Sequence, residues 1–187
     1  MIHSYEIHGL TVSTGDLLCT RDGKEQILPG EFWRLVGRLI PGEVDHVVIY
    51  VGPGGRCAEA GPRGIITFEI VGNTWVSEEM AHERGIIDEL YGVASPVEGQ
   101  GLIEEEKVRI REDVAAYCLA QVGKPYNLNF LLSDIEEAFY CSQLAYKAYL
   151  RSGIDLNTGQ QIPHVPGTSS IIFPQEIWSG CLHRRAV

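Results

Sequence analysis

Apolar positions in the first half of the chain fall in short alternating or β-branched runs separated by glycine. "DHVVIYVG" (45–52) alternates and is closed by the turn "GPGG"; "RCAEAG" and "GIITFEIV" come next, and "GDLLCT" (15–20) lies upstream, so four strands are expected. Between the first two strands, "LPGEFWRLVGRLIPG" places Phe32, Leu35, Val36 and Leu39 at helical spacing between Pro/Gly breaks, which predicts a short helix. In the second half the period lengthens. The acidic start "EEEK" at Glu104 suits the positive end of a helix, and Val114, Cys118 and Val122 form its stripe before Gly123. "GKPYN" breaks the chain ahead of a second helical region that runs to Gly153, and the tail "NTGQQIPHVPGTSSIIFPQEIW" reads as loop and short strand.

Composition narrows the class. At 187 residues, 44% of them hydrophobic, the chain supports one core, and residues 1–187 are read as a single domain. A net charge of −10 disfavours nucleic acid and anionic lipid as partners, because phosphate recognition needs clustered Lys and Arg. No run approaches the roughly 18 apolar residues of a membrane span, and "MIHSYEIHGL" lacks the features of a signal peptide, so a cytoplasmic location is expected. Cys19, Cys57, Cys118, Cys141 and Cys181 are odd in number and irregularly spaced, which speaks for free thiols in a reducing compartment.

The candidate chemistry centres on "YCSQLAYKAY". Leu144, Ala145 and Ala148 repeat at helical spacing after Cys141. If the helix begins at Cys141, the thiol sits at its positive end, where a thiolate is favoured and backbone amides can hold an oxyanion. If it begins at Ser133, Cys141 is one more small buried hydrophobe. His46 opens a strand and is placed either as a base at a cleft or as an ordinary strand-edge residue. Glu59, between Ala58 and Ala60, is either exposed or buried beside a partner, and an imidazole on the paired strand would serve. Cys57 shares the face of Glu59 but has no helix end to activate it. A zinc site built from His46, Cys57, Glu59 and Cys141 has no close ligand pair to support it.

Taken together, "VGKPYNLNFLLSDIEEAFYCSQLAYKAYLRSGIDL", "GDLLC" and "DHVVIYVGPGGRCAEAG" resemble the motifs of NlpC-type cysteine peptidases: a Gly-x-Pro-Tyr turn, an Asp-Cys-Ser helix start, a Gly-Asp-Leu strand and a His-Val-Gly-Ile-Tyr strand. The His and Glu strands precede the cysteine half here, the order of the circularly permuted, YiiX-like branch, and "IIFPQEI" is similar to the segment that closes that branch. Tyr140 stands where the unpermuted family has Asp, and Gln143 where it often has Gly.

The resemblance implies an α+β, papain-like fold with an antiparallel sheet or small barrel packed against helices. It implies Cys141 as nucleophile, His46 as base and Glu59 as the carboxylate that orients it, with Tyr126 and Tyr140 lining the site. The implied reaction is hydrolysis of an amide in small peptides of bacterial cell-wall type or in N-acyl amino acids, through an acyl-enzyme and without metal or organic cofactor. The alternatives are an acyltransferase or lipid hydrolase resembling the lecithin retinol acyltransferase group, from which "YCSQLA" departs, and a non-catalytic binding domain. Residues 24–43 are either a lid over the cleft or scaffold, and their position between the first strand and the His46 strand suits a lid.

Overall fold

Both faces of the strand that begins at His46 are covered, and the rest of the architecture is arranged around it. The computed structural model describes residues 1–25, 42–160, 162 and 171–186. In chain order they form β1 (Ser4–Ile7), β2 (Leu10–Ser13), β3 (Leu17–Glu25), β4 (His46–Tyr50), β5 (Arg56–Gly61), β6 (Gly64–Glu69), α1 (Ser77–Arg84), β7 (Ile86–Ser95), α2 (Glu104–Ala120), α3 (Cys141–Leu150), α4 (Pro174–Gly180) and β8 (Leu182–Arg185). The helix expected within 28–42, and most of the segment assigned to a lid, fall in 26–41, outside the described residues.

A six-stranded antiparallel sheet, in the order β6-β5-β4-β3-β7-β8, curls into a half-barrel, and β1 pairs with β2 as a separate hairpin. All five residues of β4 are buried. Val47 and Ile49 meet Val114, Leu144 and Ala148 from the helices. Val48 and Tyr50 meet Ile7 of the hairpin together with Phe68, Trp75 and Met80. Double coverage explains the nearly continuous apolar run, since a strand with one wet face would show cleaner alternation. Each such side chain contributes roughly 1.5–3 kcal/mol by leaving water.

The four expected strands are present as β3 to β6. Two elements beside them break the patterns that would announce them. β7 is the second neighbour of β3, but Asp88, Glu89 and Gly92 interrupt its alternation, and its register with β3 shifts twice. α1, "SEEMAHER", offers only Met80 and Ala81 as apolar residues. α2 begins at Glu104 as expected, with the Glu106 carboxylate accepting the Ile103 N–H at 3.1 Å, but it ends at Ala120. Val122 therefore lies beyond the helix and is exposed. The tail corrects the expectation of loop and short strand: Pro174 occupies the first helical turn of α4, where its missing N–H costs nothing, and β8 comes next at the sheet edge.

Candidate active site

The first helical residue of α3 is Cys141, with Tyr140 extended ahead of it at φ −95° and ψ 167°. Gln143, two residues into the helix, explains why the helix starts there. Its Oε1 accepts the Tyr140 N–H at 3.2 Å and the Asn127 Nδ2 at 3.1 Å, while its Nε2 donates to the carbonyls of Ser133 and Ile135, each at 3.0 Å. The preceding segment is thereby held as turns, and of the two possible starts the helix takes Cys141. The "GKPY" break runs alongside: Phe139 N–H bonds the Pro125 carbonyl at 3.2 Å and Asn127 N–H bonds the Phe139 carbonyl at 3.0 Å. The N–H groups of the first turn have no acceptor within the helix and carry its positive end towards the thiol.

His46 is the first residue of β4 and is 6% exposed. Its Nε2 lies 2.8 Å from Glu59 Oε2. Antiparallel pairing of Ile49 with Ala58 and of Tyr50 with Cys57 carries Glu59 onto the face that His46 shares with Val48. The Cys141 thiol is the other neighbour of the same imidazole. Burial on its own pushes the His46 pKa down, yet the neighbouring Cys141 and Glu59 outweigh it and hold the ring well above the ordinary histidine range. Burial likewise pushes Glu59 up, but Arg84 and His46 outweigh it and keep the carboxyl below its usual value. The two directions agree: a carboxylate faces an imidazolium.

Glu59 is fully buried, and an imidazole is only part of what balances it. The Arg84 guanidinium forks onto the same carboxylate, Nε to Oε1 at 3.0 Å and Nη2 to Oε2 at 2.9 Å. Arg84 escaped sequence reading because it ends a helix whose composition is that of a solvated one. The signal for it was indirect, in that an acidic residue between two alanines, once buried, requires a cation.

Of the two tyrosines, Tyr140 is 2% exposed, its hydroxyl accepting the Ile172 N–H at 3.1 Å and its ring meeting Phe130 edge-on at 5.2 Å. Tyr126 is partly buried against the helix-side core. The other thiols are poor nucleophiles: burial pushes Cys118 and Cys181 up to about 12 and raises Cys19 and Cys57 strongly. Among the described residues, no three His, Cys, Asp or Glu side chains are grouped to hold a metal ion. In addition, Arg84 engages both Glu59 oxygens. No helix among them is long and apolar enough to cross a membrane.

Over residues 30–165 the chain matches the family described as "Permuted papain-like amidase enzyme, YaeF/YiiX, C92 family". Among solved structures it is similar to the "metalloprotein yiiX" of Escherichia coli O157:H7, with a TM-score of 0.51 at 18% identity over 93% of this chain and 96% of that one. At that identity the likeness concerns the fold. A comparison with curated proteins finds no match.

Proposed function

The chain belongs to the permuted papain-like amidase family of cysteine peptidases, and from that premise we propose that Cys141, His46 and Glu59 hydrolyse an amide bond in a small peptide of cell-wall type or an N-acyl amino acid. The observation that carries the reading is a single imidazole with the thiol of a helix start as one neighbour and a hydrogen-bonded, buried carboxylate as the other. Nucleophile, base and orienting group then stand in the order the chemistry needs.

The Cys141 thiolate attacks the carbonyl carbon and forms the C–S bond, while the Cys141 backbone N–H stabilises the oxyanion. His46 gives its proton to the departing amine nitrogen as the C–N bond breaks, leaving an acyl-enzyme. Neutral His46 then takes a proton from water. The resulting hydroxide attacks the thioester, and the carboxylic acid leaves as the thiolate re-forms. Glu59 keeps Nε2 in place throughout, so that the other ring nitrogen faces the sulfur. Tyr126 and Tyr140 flank the substrate, with the buried Tyr140 ring backing Phe130.

One observation favours a second reading, acyl transfer or lipid hydrolysis by the same groups. Leu128, Leu131 and Leu132, in the segment that leads to Cys141, are exposed, and Phe130 between them packs on Tyr140. An apolar acyl chain is the ligand such a surface suits.

Alkylation of the purified protein at pH 6 with the modified cysteine mapped by mass spectrometry tests the nucleophile. Selective labelling of Cys141, lost in His46→Ala, is expected; equal labelling of all five cysteines would remove the case. Release of an amine from a wall-derived tripeptide or an N-acyl amino acid, against release or transfer of a phospholipid acyl chain, then divides the two readings.

A further inference from the structure

Behind Glu59 lies a second pair of ions that the amide-hydrolysis scheme leaves unused. Arg84 is fully buried, and each of its five N–H groups finds an acceptor. Nε and Nη2 bond Glu59; Nη2 and Nη1 bond Asp88 Oδ2 and Oδ1, both at 2.8 Å; and Nη1 reaches the Ser77 hydroxyl at 3.4 Å. The guanidinium sits 4.8 Å from the ring centres of both Phe68 and Trp75. Asp88 accepts further bonds from Trp75 Nε1 at 3.0 Å, Ser77 Oγ at 2.8 Å and Thr20 Oγ1 at 2.8 Å. Thr20 is the cross-strand partner of His46, so the network returns to the residue from which it began.

We propose that Arg84 and Asp88 are positioning residues for the reaction: Arg84 fixes the plane of the Glu59 carboxylate, and Asp88 leaves the buried cluster one negative charge in excess, which a protonated His46 balances. The inference rests on the Cys141, His46, Glu59 reading. Stability alone is a poor reason for such a cluster, because taking ions out of water offsets most of their attraction and apolar replacements are often as stable. The charge count supplies the reason. Glu59 and Arg84 cancel in net charge, which leaves the direct Glu59 contact and the Cys141 sulfur to favour the imidazolium; Asp88 brings the sum of carboxylates and guanidinium to −1 and adds to that preference. Among the described residues, the other titratable groups near His46 include the adjoining Asp45, the Cys141 thiol on α3 and, next to that thiol, Cys19 on β3. Asp88 in turn is held down in pKa first by Arg84 and also by the charge of His46.

The test is a titration of the histidine ring signals by NMR, with the His46 signal assigned from its absence in His46→Ala. Asp88→Asn keeps shape and an acceptor but removes the charge. Its His46 ring is expected to lose its proton about one pH unit lower than in the wild type. Gly92→Ala, a destabilised control whose added Cβ meets β8 and Trp178 instead of the cluster, leaves the titration in place. An unchanged His46 titration in folded Asp88→Asn would overturn the proposal. Should that variant not fold, Arg84→Lys carries the test, since it retains the charge and loses the fork. Alkylation of its Cys141 at pH 6 is expected to fall about 10- to 100-fold, the size that losing one hydrogen bond between charged groups corresponds to. A rate equal to that of the wild type sinks the inference. If wild-type Cys141 is not selectively labelled and His46→Ala changes nothing, the triad reading itself fails; wild-type behaviour in the Asp88 and Arg84 variants alone removes only the present proposal.

Discussion

Gln143 and Ser133 are joined across the turn that precedes the candidate nucleophile, Gln143 Nε2 donating to the Ser133 carbonyl at 3.0 Å. The same side chain serves Ile135, Asn127 and Tyr140, so one amide fixes where α3 begins. Gln143→Ala leaves several of these groups without partners and is expected to cost about 2–4 kcal/mol, at about 1–3 kcal/mol for each unsatisfied buried group. Urea unfolding measures it, and a loss within about 0.5 kcal/mol, the range of ordinary surface changes, would show that the helix start is set elsewhere.

Stability should respond to pH in opposite senses at the two ends of the network. Asp88 is held at about 2 by Arg84, its nearest cation, against the opposing push of burial, and Glu59 is also lowered. Their contribution is complete above the unfolded carboxyl values of about 4 and is lost as pH falls through the folded ones. His46 is raised, so its contribution is complete below its unfolded value of about 6.5 and disappears as pH rises through the folded pKa. Thermal unfolding from pH 3 to pH 10 should show both limbs, with Asp88→Asn flattening the acid limb and His46→Gln the alkaline one. Limbs that persist unchanged in these variants would assign them to other groups.

Gly92 lies in β7, where a Cβ would collide with the Arg184 carbonyl and come within 2.6 Å of the Trp178 ring. Gly92→Ala is expected to push β8 and α4 off the sheet edge at a cost of about 1–3 kcal/mol, the usual range for overpacking. Tryptophan fluorescence, red-shifted as Trp178 gains water, reports the movement; an unshifted spectrum with full stability would mean that the edge yields freely.

The exposed leucines offer a test of substrate chemistry. Leu131→Gln combined with Leu132→Gln should leave stability within about 0.5 kcal/mol, because both side chains already face solvent. If they hold an acyl group, KM rises for a long-chain N-acyl amino acid and not for an acetylated one. Equal kinetics on both substrates would free this surface from any part in binding.

Legibility in the sequence tracked the type of burial. β3 to β6 were readable because their apolar, β-branched residues pack against apolar neighbours, and His46 and Glu59 could be paired because a short turn fixes adjacent strands. β7 and α1 were not readable: the buried parts of both include ions, Asp88 in one and Arg84 in the other, and a buried ion looks in sequence like an exposed one. Gln143 escaped for the same reason, since its four partners lie in loop backbone and in an Asn side chain that no period marks. Pro174, by contrast, lies in a tail that reads as loop and short strand but starts a helix, a distinction set by the residues on its C-terminal side.

The segment around α4 touches both halves of the candidate centre. Ile172 is gripped by the Tyr140 and Ser142 hydroxyls beside the thiol, and Gln175 Oε1 takes the N–H groups of Glu43 and Val44 just ahead of the His46 strand. A chain still being synthesised therefore carries its thiol, imidazole and carboxylate before it carries the clasp that secures their supports. Shortening the chain ahead of residue 172 would therefore untie the supports of the thiol and of the imidazole together while leaving every proposed catalytic residue in place.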